Sequence, residues 1–163
     1  MAVTINIDLN RKFIVNGDIN TIFSFLSDIP ASAEHFPKVH ALTALADNTF
    51  HWEMEEVGLG THSIQTSYAC QYFSDCDAKT IVWTPIKGKG NSIVSGRLKL
   101  TELASGTHVS LKTKAALTLP LPRLLKLAIS PMVKLEFSGM VDTYLRNLTN
   151  LLVHSELKQT SED

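Results

Sequence analysis

Cysteine is nearly absent: Cys70 and Cys76 are the only two in 163 residues. Their spacing fits neither a redox pair nor half of a zinc site, so they read as reduced thiols of a cytoplasmic protein. An excess of one charge is also missing. Fifteen Lys and Arg against sixteen Asp and Glu leave a formal charge of -1, which removes the attraction for phosphate backbones that non-specific nucleic-acid binding needs. Long apolar runs are lacking as well. Lys114, Arg123, Lys126 and Lys134 interrupt the greasiest region before it reaches the ~20 residues of a bilayer-spanning helix. The amino terminus alternates polar and apolar residues and has neither the basic flank nor the apolar stretch of a secretory leader. What remains is one domain, expected over residues 1–155 with a polar tail over 156–163. A chain of this length buries roughly 70% of its unfolded surface without the help of disulfides or a structural metal.

What is present is alternation. Val3, Ile5, Ile7, Leu9, Phe13 and Val15 recur at period two with polar residues between them, a half-buried strand. Asp18 is then placed to cap a short helix carrying Ile22, Phe23 and Leu26. Pro30 opens a second short helix that Pro37 ends. Period two returns in six segments: 39–46, 50–57, 62–73, 80–86, 93–103 and 107–119. Gly, Asn, Asp and Ser fill the short gaps between them, so the pairings are predicted to be antiparallel. After Leu119 the prolines Pro120 and Pro122 break the strand, and 123–129 suits a short helical piece. Ser130 and Pro131 then read as the start of a long helix to His154, with Phe137, Met140, Val141, Tyr144, Leu148 and Leu152 along one apolar face.

This order predicts an α+β fold. A seven-stranded antiparallel sheet, curved by accumulated twist, wraps the long C-terminal helix, with two short helices after the first strand. At Phe13-Ile14-Val15-Asn16-Gly17-Asp18, Ile22 to Asp28, His35-Phe36-Pro37, Ser95 to Leu100, Gly106-Thr107-His108-Val109 and the Phe137 to Leu152 helix, the chain resembles the START-like, or SRPBCC, superfamily of helix-grip proteins. Within it the chain looks similar to bacterial polyketide cyclase/dehydrase-like proteins and to the carbon monoxide dehydrogenase subunit-like group. The resemblance covers nearly the whole chain and implies a hydrophobic ligand held between sheet and helix. It does not imply catalysis, since only some such proteins are enzymes.

Strand parity assigns the wall of that space. Trp52 and Met54 face one way in their strand, with Ile64, Tyr68 and Tyr72 in the next; Leu98, Leu111 and Thr113 follow later, and Phe137, Met140, Val141 and Tyr144 come from the helix. Trp83 joins them, although its strand alternates poorly. Two readings fit this set: ordinary core packing, and the lining of a ligand cavity whose small residues leave room opposite the large ones. A binding module for a lipid, quinone, polyketide or similar molecule, with no cofactor, is the first expectation. A cyclase or dehydratase would draw on Tyr68, Tyr72, His62 or Glu56 for acid and base. A third reading is peripheral membrane contact through Leu121 to Ser130, where Arg123 and Lys126 accompany leucines. The six histidines are scattered without the spacing of a metal site, and the sequence leaves ligand identity and oligomeric state open.

Overall fold

The computed structural model describes residues 2–59 and 61–161, with side chains through Leu151 except at position 59. Strand β1 (Val3–Val15) opens the chain, and its alternation buries Val3, Ile5 and Ile7. Helix α1 (Ile19–Ser27) follows, capped by Asp18, whose carboxylate accepts the Thr21 N–H at 3.0 Å. Asp28 does the same for α2 (Ile29–Ala33), accepting from Ala31 at 3.3 Å. The second helix stops before Phe36, because a residue preceding proline is driven out of the helical region.

Strands β2 (Val39–Ala46), β3 (Thr49–Met54), β4 (Val57–Leu59), β5 (His62–Ile64), β6 (Ser67–Asp75), β7 (Thr80–Ile86), β8 (Ser92–Leu103) and β9 (Gly106–Leu119) come next. Seven of the nine strands form one antiparallel sheet in the order β1-β9-β8-β7-β6-β3-β2. The first strand pairs with the last along its whole length, from Val3 opposite Leu119 to Val15 opposite Thr107.

Two expected strands are interrupted. The 50–57 and 62–73 segments each break near their junction, and β4 and β5 leave the main sheet as a small hairpin. Asn91 holds the break open. Its side chain accepts from Ser67 N at 3.0 Å and donates to the Gln65 carbonyl at 2.7 Å, satisfying backbone groups that the ladder abandons.

Helix α3 (Lys126–Ser161) follows a 3-10 turn at Arg123–Leu125. It starts earlier than Ser130 and takes Pro131 into its interior. Proline there removes the hydrogen bond to the Leu127 carbonyl, and Leu127 lies on a face open to water, which can replace the lost donor. The helix also runs past His154; the side chains of Leu152 and His154 lie outside the described residues, as do Glu162 and Asp163.

Two buried clusters join sheet to helix. One combines Ile5, Ile7, Trp52, Met54, Tyr68, Cys70 and Val94 with Ile129 and Val133. The other combines Val15, Ile22, Leu26, Ile81, Leu98, Val109 and Leu111 with Val141, Leu145 and Leu148. Full burial of each such side chain contributes about 1.5–3 kcal/mol, so these two clusters dominate the fold's stability. One glycine is demanded by this packing. A Cβ at Gly96 would overlap the Trp83 indole and the Lys112 carbonyl, so Gly96 is what lets Trp83 lie flat across β8.

Candidate functional site

Between the sheet and α3 the packing is incomplete. Two adjoining lobes, of about 100 and 60 Å³, share the walls Phe36, Tyr68, Val94 and Phe137. For scale, an apolar cavity of about 150 Å³ stays dry and takes up benzene.

Each of the thirteen residues assigned by parity lines one lobe or both. Trp52, Tyr72, Trp83, Leu98, Leu111, Thr113, Val141 and Tyr144 surround the larger lobe; Met54, Ile64 and Met140 surround the smaller one; Tyr68 and Phe137 stand between. Trp83 shares its parity with the buried Ile81 and lies opposite Tyr72 on the neighbouring strand, which settles its orientation inward. The roof of the larger lobe was not legible from strand parity. Leu26, Ile29, Ser32, Ala33 and Phe36 form it from α1, α2 and the loop beyond. The apolar face of two helices pressed against a strand pattern would have been the only signal.

His62 and Glu56 line neither lobe. The break after Met54 turns Glu56 to solvent, where its carboxylate accepts from the Ser63 hydroxyl. The inward parity expected for Glu56 is therefore corrected by the departure of β4 from the sheet. His62 sits half-buried on the same small hairpin, opposite Leu59.

The polar groups on the wall are few, and most are engaged. Trp52 Nε1 donates to the Tyr72 hydroxyl at 2.9 Å. The Thr113 hydroxyl donates to the Ser95 carbonyl at 3.0 Å, and Tyr144 pairs with Ser32. Glu136, at the edge of the smaller lobe, is held by Lys38. Tyr68 differs. Its ring stacks on Trp52 at a centroid distance of 5.8 Å, and its hydroxyl has no hydrogen-bond partner among the described residues. No side-chain polar atom among the described residues is both sealed from solvent and unpaired, so that hydroxyl opens onto the void.

Burial sets the protonation of this wall. It pushes the Tyr68 phenol well above the ordinary phenol range, with the neighbouring Cys70 adding to the effect, and pushes Tyr72 up in the same way. Burial also pushes the Cys70 thiol up to about 12, and Tyr144 up to about 12 against the lowering effect of its Ser32 hydrogen bond. All four stay neutral near pH 7 and serve as hydrogen-bond donors or acceptors, not as bases.

A pH dependence follows from these shifts. In the unfolded chain a Cys ionises near 9.0 and a Tyr near 10.0, whereas Cys70 and Tyr144 in the fold do so near 12. Their stabilisation is therefore complete below pH 9.0 and is lost as pH rises from there towards 12, at about 1.4 kcal/mol per pH unit for each group held neutral. Thermal melts followed by circular dichroism are expected to fall in midpoint above pH 9.0, with Cys70→Val moving the onset towards 10.0. A midpoint that stays level throughout that range would show these groups to be solvated.

A long antiparallel sheet gripping one C-terminal helix around an apolar void is the helix-grip architecture of START-like, or SRPBCC, proteins. Solved structures agree. A protein of Thermus thermophilus superposes with a TM-score of 0.69 at 12% identity, over 92% of this chain and 98% of its own. A START superfamily protein from Mycobacterium smegmatis gives 0.65 at 16% identity, over 90% and 97%. The Zhui aromatase/cyclase of a Streptomyces species gives 0.60 at 10% identity, over 95% and 96%. No protein-family model matches the sequence, and no curated protein matches it. At such identities the likeness establishes the fold, a START and polyketide cyclase-like scaffold for binding ligands, and leaves the occupant to the site itself.

Proposed function

We propose that this protein binds a small hydrophobic molecule, about one ring in size and carrying a single hydrogen-bond acceptor, in the two-lobed cavity. The observation that carries the reading is the Tyr68 hydroxyl: protonated, at the junction of both lobes, and the one phenol of the wall whose hydroxyl has no protein partner among the described residues. A ketone, quinone or phenol oxygen would complete it, while the apolar arms of the ligand fill the space between the aromatic and aliphatic side chains. Polyketide-derived and isoprenoid rings are of this chemistry. Larger ligands would require the lobes to open further.

Holding suits the wall better than turnover. An aromatase or cyclase needs a group that exchanges protons near neutral pH. The one carboxylate among the described lining residues is Glu136, and it is occupied by Lys38.

Both tryptophans of the chain line the larger lobe and report on occupancy. Titration with acetophenone, followed by tryptophan emission, is expected to saturate. Tyr68→Phe should weaken acetophenone binding by about threefold to tenfold, the worth of one neutral hydrogen bond. Ethylbenzene, which has the ring without the carbonyl, should bind both proteins alike. The reading fails if neither compound gives a saturable change and organic extraction of the purified protein releases no small molecule.

A further inference from the structure

Helix α3 is apolar on two sides. Its inward side carries Ile129, Val133, Val141, Leu145 and Leu148, all buried. Its outward side, with the 3-10 turn before it, carries Leu124, Leu127 and Leu135 at 92%, 88% and 75% exposure, with Met132 at 40%. Positions 124, 127, 131 and 135 are three or four apart, so these residues and Pro131 form one stripe running ~16 Å along the helix axis. Isolated exposed leucines are common on monomers; a continuous row of them marks a contact surface.

The charges beside the stripe share one sign. Arg123, Lys126 and Lys134 are exposed, and the chain holds no Asp or Glu from Leu103 through Leu135. Glu136, the first acid after the stripe, is paired with Lys38. The whole chain is close to neutral at -1, so this positive field is local. We infer that the segment Leu121–Leu135 docks on the surface of an anionic lipid bilayer, leucines entering the acyl boundary and the cations meeting headgroup phosphates. A protein partner is the poorer match, because the stripe has no Trp or Tyr anchor and no rim of mixed sign. Among the described residues no helix is long and apolar enough to cross a bilayer, and the contact is with its surface.

The position of the stripe gives the contact a use. The same stretch of chain closes the smaller lobe: Val133 lines it, and Leu121 and Leu125 pack onto the cluster around it. Docking would therefore bring the thin wall of that lobe against lipid. This last step, exchange of ligand with the membrane, rests on the ligand-binding reading; the docking itself does not.

Cosedimentation of the full chain with vesicles tests it. Phosphatidylcholine vesicles containing about one-third phosphatidylglycerol should retain the protein, pure phosphatidylcholine vesicles should not, and added salt should release it. Leu124→Asp with Leu127→Asp should abolish retention, and Arg123→Glu with Lys126→Glu should weaken it at least about tenfold. These side chains are exposed, so melting temperature and acetophenone titration should match the parent, which separates a failure here from a failure of the ligand reading. Absence of retention on anionic vesicles, or retention indifferent to the aspartates, overturns the inference. So does sedimentation equilibrium showing a dimer that the aspartates split, which would assign the stripe to a second copy of this chain.

Discussion

Leu148→Ala is expected to destabilise the fold by about 3–4 kcal/mol, while Leu127→Ala on the same helix changes it by less than about 0.5 kcal/mol. Leu148 is 1% exposed and sits against Ile22, Leu26, Val109 and Leu145 in the cluster that joins α3 to α1 and to the middle of the sheet. Truncation removes its transfer free energy and leaves a void that β-strand neighbours on one side cannot collapse to fill. Leu127 loses only contact with water. In a chain of this length the first change should lower the melting midpoint by roughly 10 °C. Chemical denaturation provides the check: a Leu148→Ala cost below about 1 kcal/mol would mean that the carboxy-terminal half of α3 is not gripped.

The grip matters because α3 is fastened unevenly. Its later turns hold to the two short helices through Tyr144 with Ser32 and through Asn147 Nδ2, which donates to the His35 carbonyl at 3.0 Å. In mid-helix Arg11 reaches across from β1, with Nε 2.8 Å from Asp142 Oδ1 and Nη2 2.7 Å from Ser138 Oγ. An exposed ion pair of this kind contributes little, at most about 1 kcal/mol. The first turns, beside the smaller lobe, are held chiefly by Ile129, Val133 and the Lys38 pair with Glu136. The end that closes the cavity is thus the less strongly anchored one, which suits a wall that admits a ligand.

The distinction between what sequence reading reached and what it missed has a physical origin. Alternation is local, so the seven strands and the inward faces of Trp52, Tyr68, Leu111 and Thr113 could be read along the chain. The break between β3 and β4 could not, because the residue that stabilises it, Asn91, lies 24 positions beyond its partner Ser67. That break alone decides that Glu56 faces water. The same limit applies to the tyrosines. Tyr68 and Tyr72 look equivalent in sequence, and register decides between them: the indole N–H of Trp52 meets the Tyr72 hydroxyl and leaves Tyr68 to the cavity. Cavity volume is further still from parity, since it is the small remainder after many side chains have packed.

Val94→Phe is the substitution that should separate a void from ordinary core packing. Val94 lies on β8 opposite Ala115, borders both lobes, and keeps its carbonyl engaged by the Cys70 thiol at 3.3 Å. If the lobes are empty space, the phenyl ring grows into them. Acetophenone binding should then fall by more than about tenfold while the melting midpoint holds or rises, since the ring fills a gap that previously gave its neighbours nothing to touch. In a packed core the same change would instead force strained rotamers and cost about 1–3 kcal/mol. The two measurements therefore move in opposite directions under the two readings. A destabilised variant that still binds acetophenone as well as the parent would remove the cavity, and with it the role assigned to Tyr68.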